Sequence, residues 1–122
     1  MGVSYRLEGR LLFVIAEGDY PIQELKDVFE GALRDPELPA DARLVVDVSR
    51  SESLIRRSTP ELRELERFFL AHAARVGGRV ALVVEGLVRF GLMRMAAAWV
   101  DLEGHQARVF RDLEHAKAWA LQ

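Results

Sequence analysis

Four short apolar runs, residues 11–16, 44–48, 80–84 and 107–110, recur along the chain with longer amphipathic segments between them. They are rich in Val and Leu and lack the in-out alternation of a strand with one wet face. A strand reads this way when both of its faces are covered, as in parallel sheets, where each connection is long enough to lay a helix on the sheet. Ahead of the first run, Val3, Tyr5 and Leu7 alternate with Ser4, Arg6 and Glu8, and Gly9 follows. That period of two predicts a half-wet strand turning into the first buried one as a hairpin.

The intervening segments carry the helical period. Ile22, Leu25, Val28, Phe29, Ala32 and Leu33 share one face of a helix that opens at Asp19-Tyr20-Pro21, where a proline fits the first turn, and stops near Asp35-Pro36. A second helix opens at Arg56-Arg57-Ser58-Thr59-Pro60-Glu61: either Thr59 caps it with Pro60 at the first helical position, or Ser58 forms a capping box with Glu61. Its core face is Leu62, Leu65, Phe69, Ala73 and Val76, and Gly77-Gly78 ends it. A further helix covers residues 88–102 and ends at Gly104, and a last one runs from Asp112 through Leu113, Ala116 and Trp119. The order β-β-α-β-α-β-α-β-α predicts one α/β domain over residues 1–122. Its expected core is a mostly parallel sheet of about five strands, with an antiparallel first strand at one edge and helices packed on the sheet. Residues 49–58 form the longest expected loop.

Composition narrows the chemistry. The chain has 122 residues and no cysteine, which excludes a disulfide scaffold, thiolate metal sites and a cysteine nucleophile. A net charge of -2 provides no global field for nucleic acid or an anionic membrane. No phosphate-binding G-x-x-x-x-G-K-[ST], dinucleotide G-x-G-x-x-G, G-x-S-x-G elbow or H-E-x-x-H is present. Lys26 and Lys117, the only lysines, fall on helices rather than at a strand end. The N-terminus lacks the basic-then-apolar pattern of a signal peptide, and no apolar run approaches the ~20 residues of a membrane span. We therefore expect a cytoplasmic location, no catalytic residues, no cofactor, no resident metal, no nucleic-acid partner and no membrane span.

Three places are candidate sites. Ligands of open parallel sheets sit beyond the carboxyl ends of the strands, and those ends carry Glu17, Asp19, Asp47, Glu85 and Asp112. Asp47, Glu85 and Asp19 could share a hard cation such as magnesium. Alternatively, the aspartates cap the helices that follow, although no helix begins directly after Asp47. The second place is the approach to the second helix, where Arg56, Arg57, Ser58 and Thr59 make either an anion site or an ordinary cap. The third is segment 88–102, apolar on two sides. Val88, Leu92, Met95, Ala96, Trp99 and Leu102 would face the sheet, leaving Phe90, Met93, Ala97 and Val100 as a seam for a second copy, a ligand or a neighbouring helix. His72, His105 and His115 lie on separate elements without metal-ligand spacing; His72 reads as a hydrogen-bonded core residue, and Trp119 as an inward helical one.

Several segments together resemble a known family: Asp35-Pro36 with Leu38-Pro39 leading into Ala42-Arg43-Leu44-Val45-Val46-Asp47-Val48, the strand Arg79-Val80-Ala81-Leu82-Val83-Val84, the stretch Phe90-Gly91-Leu92-Met93-Arg94-Met95, and the ending Val109-Phe110-Arg111-Asp112 with Ala116 and Ala118-Trp119. With the order of elements, these look like the STAS, anti-sigma-factor-antagonist-like (SpoIIAA-like) bacterial proteins over nearly the whole chain. The resemblance implies a non-enzymatic regulatory module that binds a protein partner. It places Ser58 or Thr59 where those antagonists carry a phosphorylated serine in a D-S-[ST]-G pattern. This chain departs from that pattern, with Arg57 before Ser58 and Pro60 after Thr59. The fold so implied is also similar to CRAL-TRIO lipid-binding domains, so a small apolar ligand or lipid is the alternative. A magnesium-dependent enzyme using Asp47 with Glu85 or Asp19 is the third reading.

Overall fold

The hairpin expected from the period of two opens the chain in the computed structural model, which describes residues 2–53, 56–86 and 106–122. β1 (Gly2–Glu8) pairs antiparallel with β2 (Leu11–Gly18), and Tyr5 faces Val14 across the ladder. Gly9 turns between them at φ 58°, a conformation a side chain resists. β3 (Arg43–Ser51), β4 (Arg79–Val83) and β5 (Gln106–Phe110) then add in parallel, and the five-stranded order is β1-β2-β3-β4-β5. The sheet is thus mixed, with one antiparallel pair at its β1 edge, as the sequence predicts.

α1 (Ile22–Leu33) joins β2 to β3, and α2 (Thr59–His72) joins β3 to β4. The links advance in one direction along the sheet, and crossovers of one hand then place their helices on one face. Both helices share a core with that face: Leu25, Phe29 and Leu65 meet Leu12, Val14, Leu44, Val46 and Val80. α3 (Leu113–Ala120), the last helix, lies on the opposite face, where Ala116, Trp119 and Ala120 cover Phe13, Val45, Ala81 and Val83. The middle strands are therefore buried on both sides, which is why they read as unbroken apolar runs.

Phe29 has no exposed surface and anchors the first face. Its ring lies 5.0 Å from that of Phe69 and 5.7 Å from that of Phe68, so α1 and α2 meet through aromatic side chains. His72 is part of this cluster: its Nδ1 donates to the Phe68 carbonyl at 2.8 Å and its ring lies 4.8 Å from Phe68. Arginines close two helix ends, where a cation is favourable against the dipole. Arg75 donates to Leu33 O at 2.9 Å, and Arg79 donates to Trp119 O at 3.2 Å.

Besides α2, whose α-helix ends at His72 and passes into a 3₁₀ turn over Ala73–Val76 before Gly77, two local features differ from the sequence reading. β3 runs through Ser51, so residues 49–51 belong to the sheet and not to a loop. α1 is capped by Pro21 with no side-chain hydrogen bond, so Asp19 does not cap it. The first difference has a packing cause: Ser51 is fully buried, and its hydroxyl hydrogen-bonds the buried Tyr20 hydroxyl at 2.9 Å. A polar strand end can be buried when its hydroxyl finds such a partner.

Candidate functional site

Two of the three candidate places lie among the described residues. The seam Phe90, Met93, Ala97 and Val100 lies outside them, as do Trp99 and His105.

At the start of α2, Ser58 is the N-cap. Its hydroxyl accepts from Glu61 N at 3.4 Å, and the Glu61 carboxylate in turn accepts from Ser58 N at 3.1 Å and from the Ser58 hydroxyl at 3.0 Å. This is a capping box, with Pro60 in the first turn. These bonds, first the one from the Ser58 backbone N–H and then that from its hydroxyl, hold the Glu61 carboxyl below its usual range, with a smaller contribution from the Arg57 guanidinium. Ser58 and Thr59 are exposed. Arg57 is turned inward: it donates to the Tyr20 carbonyl, lies 3.4 Å from the Ser53 hydroxyl and 3.6 Å from the Glu61 carboxylate, and stacks 5.3 Å from the Tyr20 ring centre. It latches the head of α2 to the β2–α1 turn. Arg56 points outward, with its guanidinium 3.9 Å from the exposed Asp19 carboxylate.

The second place is a depression of about 480 Å³ on the α3 face, beyond the carboxyl ends of the parallel strands. Register fixes its floor. Ile15 pairs with Asp47 and Asp47 with Val83, so these three side chains emerge on one side of the sheet. Past Ile15 the register slips: Glu17 pairs with Arg50 where even spacing would bring Ser49. The extra residue in β3 is a bulge, a device that re-aims side chains. It carries Arg50 round to Glu17, although strict alternation would send Arg50 to the face opposite Asp47. Asp47 steadies the bulge, since its Oδ1 accepts from Ser49 N at 3.0 Å and from the Ser49 hydroxyl at 2.6 Å.

Among the described residues the walls come from four more segments: Glu17 at the end of β2, Glu85 after β4, Arg111 before α3, and Arg6 from β1. Arg6 is held 4.6 Å above the Phe13 ring and 3.8 Å from the Glu8 carboxylate. Asp47 and Glu85 thus share one depression, whereas Asp19 does not line it and faces Arg56 instead. Asp112 is taken up at the start of α3, where its Oδ1 accepts from Glu114 N at 2.8 Å and His115 N at 3.2 Å. Among the described residues no three His, Asp or Glu side chains are grouped to hold a metal ion. The sequence reading missed Arg6, Arg50 and Arg111 here. Arg111 alone left a signal, directly preceding a cap at a strand end; Arg6 and Arg50 arrive by hairpin pairing and by the bulge.

With this geometry in place, the comparisons bear on the fold. No protein-family model matches the chain, and no curated protein does. The crystal structure of an uncharacterised DUF3478-family protein from Shewanella loihica PV-4, described as having a SpoIIAA-like fold, is similar to it with a TM-score of 0.64. The match covers 98% of this chain and 92% of that one at 18% identity. The fold is SpoIIAA-like. Among the described residues, no helix is long and apolar enough to cross a membrane.

Proposed function

We propose that residues 1–122 act as one STAS-like regulatory module, without catalysis of its own, that binds a protein partner through the surface at the head of α2. The observation that carries this reading is the presentation of Ser58 and Thr59: both are exposed on the first turn of a helix whose start is held by the capping box and the inward Arg57 latch. A rigid, exposed helix start with hydroxyls and an outward Arg56 offers a partner a preorganised surface, which lowers the ordering cost of association. The SpoIIAA-like fold supports the same reading, because the anti-sigma antagonists that the sequence resembles carry their phosphorylated serine at the start of the corresponding helix.

The test is site-specific photocrosslinking in the host cell. A photoreactive residue at Thr59 is expected to give one dominant protein adduct that is lost in Arg56→Glu, while the same residue at Gln23, exposed on α1, gives none. Equal adducts from both positions, or an adduct indifferent to Arg56→Glu, would overturn the proposal.

A further inference from the structure

Among the described residues, the strand-end depression holds charges of both signs in equal number: the carboxylates of Glu17, Asp47 and Glu85 and the guanidiniums of Arg6, Arg50 and Arg111. Salt bridges within a protein usually consume such groups, yet among the described residues no ion pair joins any of these carboxylates to any of these guanidiniums. The floor beneath them is apolar, with Ile15 and Val83 toward the strand ends. At about 480 Å³ the space falls within the range of small-molecule sites.

We propose that this depression is a binding site for a small zwitterion, a molecule bearing a carboxylate and an ammonium group separated by a short apolar spacer. The ligand carboxylate lies against Arg50 and Arg111, whose forked donors suit a planar anion. Its ammonium lies among Asp47, Glu17 and Glu85, and its methylenes cover the Ile15 and Val83 floor. The charge balance selects this class. A simple anion or cation satisfies one set of walls and leaves the other desolvated without a counter-charge, and an apolar molecule would desolvate both sets. The bulge in β3 is the structural reason that the two signs meet, because it brings Arg50 beside Glu17. This site is separate from the head of α2 and stands or falls independently of the partner-binding reading.

The experiment is isothermal titration of the full chain with three probes of one length: 6-aminohexanoate, hexanoate and hexylammonium. Saturable binding of 6-aminohexanoate is expected, about tenfold or more tighter than either singly charged probe. Glu85→Gln and Arg111→Gln, both at exposed positions, should each weaken it by about tenfold, whereas Glu37→Gln, outside the depression, leaves it unchanged. Hexanoate or hexylammonium binding as tightly as the zwitterion would overturn the proposal, as would insensitivity to both wall substitutions or no saturation up to about 10 mM.

Discussion

Ser58 and Glu61 show how much can depend on two exposed side chains. Each satisfies a backbone N–H that the helix leaves without a partner, so losing either loosens the first turn of α2. Ser58→Ala should cost about 1 kcal/mol, read as a lower urea midpoint at unchanged slope; an unaltered midpoint would mean that the box contributes nothing. The same pair makes a pH prediction. Glu61 titrates below its usual range, so the folded chain binds that proton more weakly than the unfolded chain does. The stability it contributes is present above the ordinary glutamate value of about 4.3 and is lost as pH falls through the lowered one. Asp35 has the same sign, its carboxylate accepting first from Glu37 N and then from the Tyr5 hydroxyl. Carboxyl-carbon NMR should place the Glu61 midpoint below that of a free glutamate and return it upward in Ser58→Ala. Both the box and the Asp112 cap are legible in the sequence, because a cap is a relation between residues three or four apart.

At the scale of elements, the junction of α1 with α2 sets packing against charge. Lys26 and Glu64 bridge the helices at 2.8 Å, but Glu64 is largely exposed, and such pairs contribute about 0–1 kcal/mol. Phe29, wholly buried beneath Phe68 and Phe69, contributes far more: Phe29→Ala should cost about 3–5 kcal/mol and Glu64→Gln less than about 1. Comparable losses for the two in chemical denaturation would refute that ranking. The end of the α2 segment makes a separate prediction. Gly77 has φ 75°, and a Cβ there would stand 2.8 Å from Arg43 Nε. The side chain can move, but the backbone conformation cannot relax, so Gly77→Ala should cost about 1–2 kcal/mol in the same assay. The glycine stop was readable from Gly77-Gly78, whereas the length of β3 was not. Ser49, Arg50 and Ser51 look like loop residues until Ser51 finds Tyr20, which lies outside any local pattern.

At the scale of the molecule, the described residues cover the two sides of the sheet by unequal means. α1 and α2 share one face, while among the described residues α3 is the helix that covers Phe13, Val45, Ala81 and Val83 on the other. Removing residues 113–122 would expose that second core, and uncovered apolar surface of this kind favours association over folding. The truncated chain is expected to lose its cooperative thermal transition. A sharp transition near that of the intact chain would show that α3 is dispensable.

The alternation of strand and helix over the described segments, the parallel character of the sheet, its antiparallel first strand, the starts of α2 and α3 and the glycine stop were present in the amino-acid order. Each depends on the periodicity of one segment or on residues a few positions apart. Strand adjacency, the division of helices between faces and the meeting of Arg6, Glu17, Arg50, Glu85 and Arg111 around Asp47 were decided only by tertiary structure. Register between segments tens of residues apart is set by cooperative burial of whole faces, and one inserted residue in β3 is enough to change which charges become neighbours.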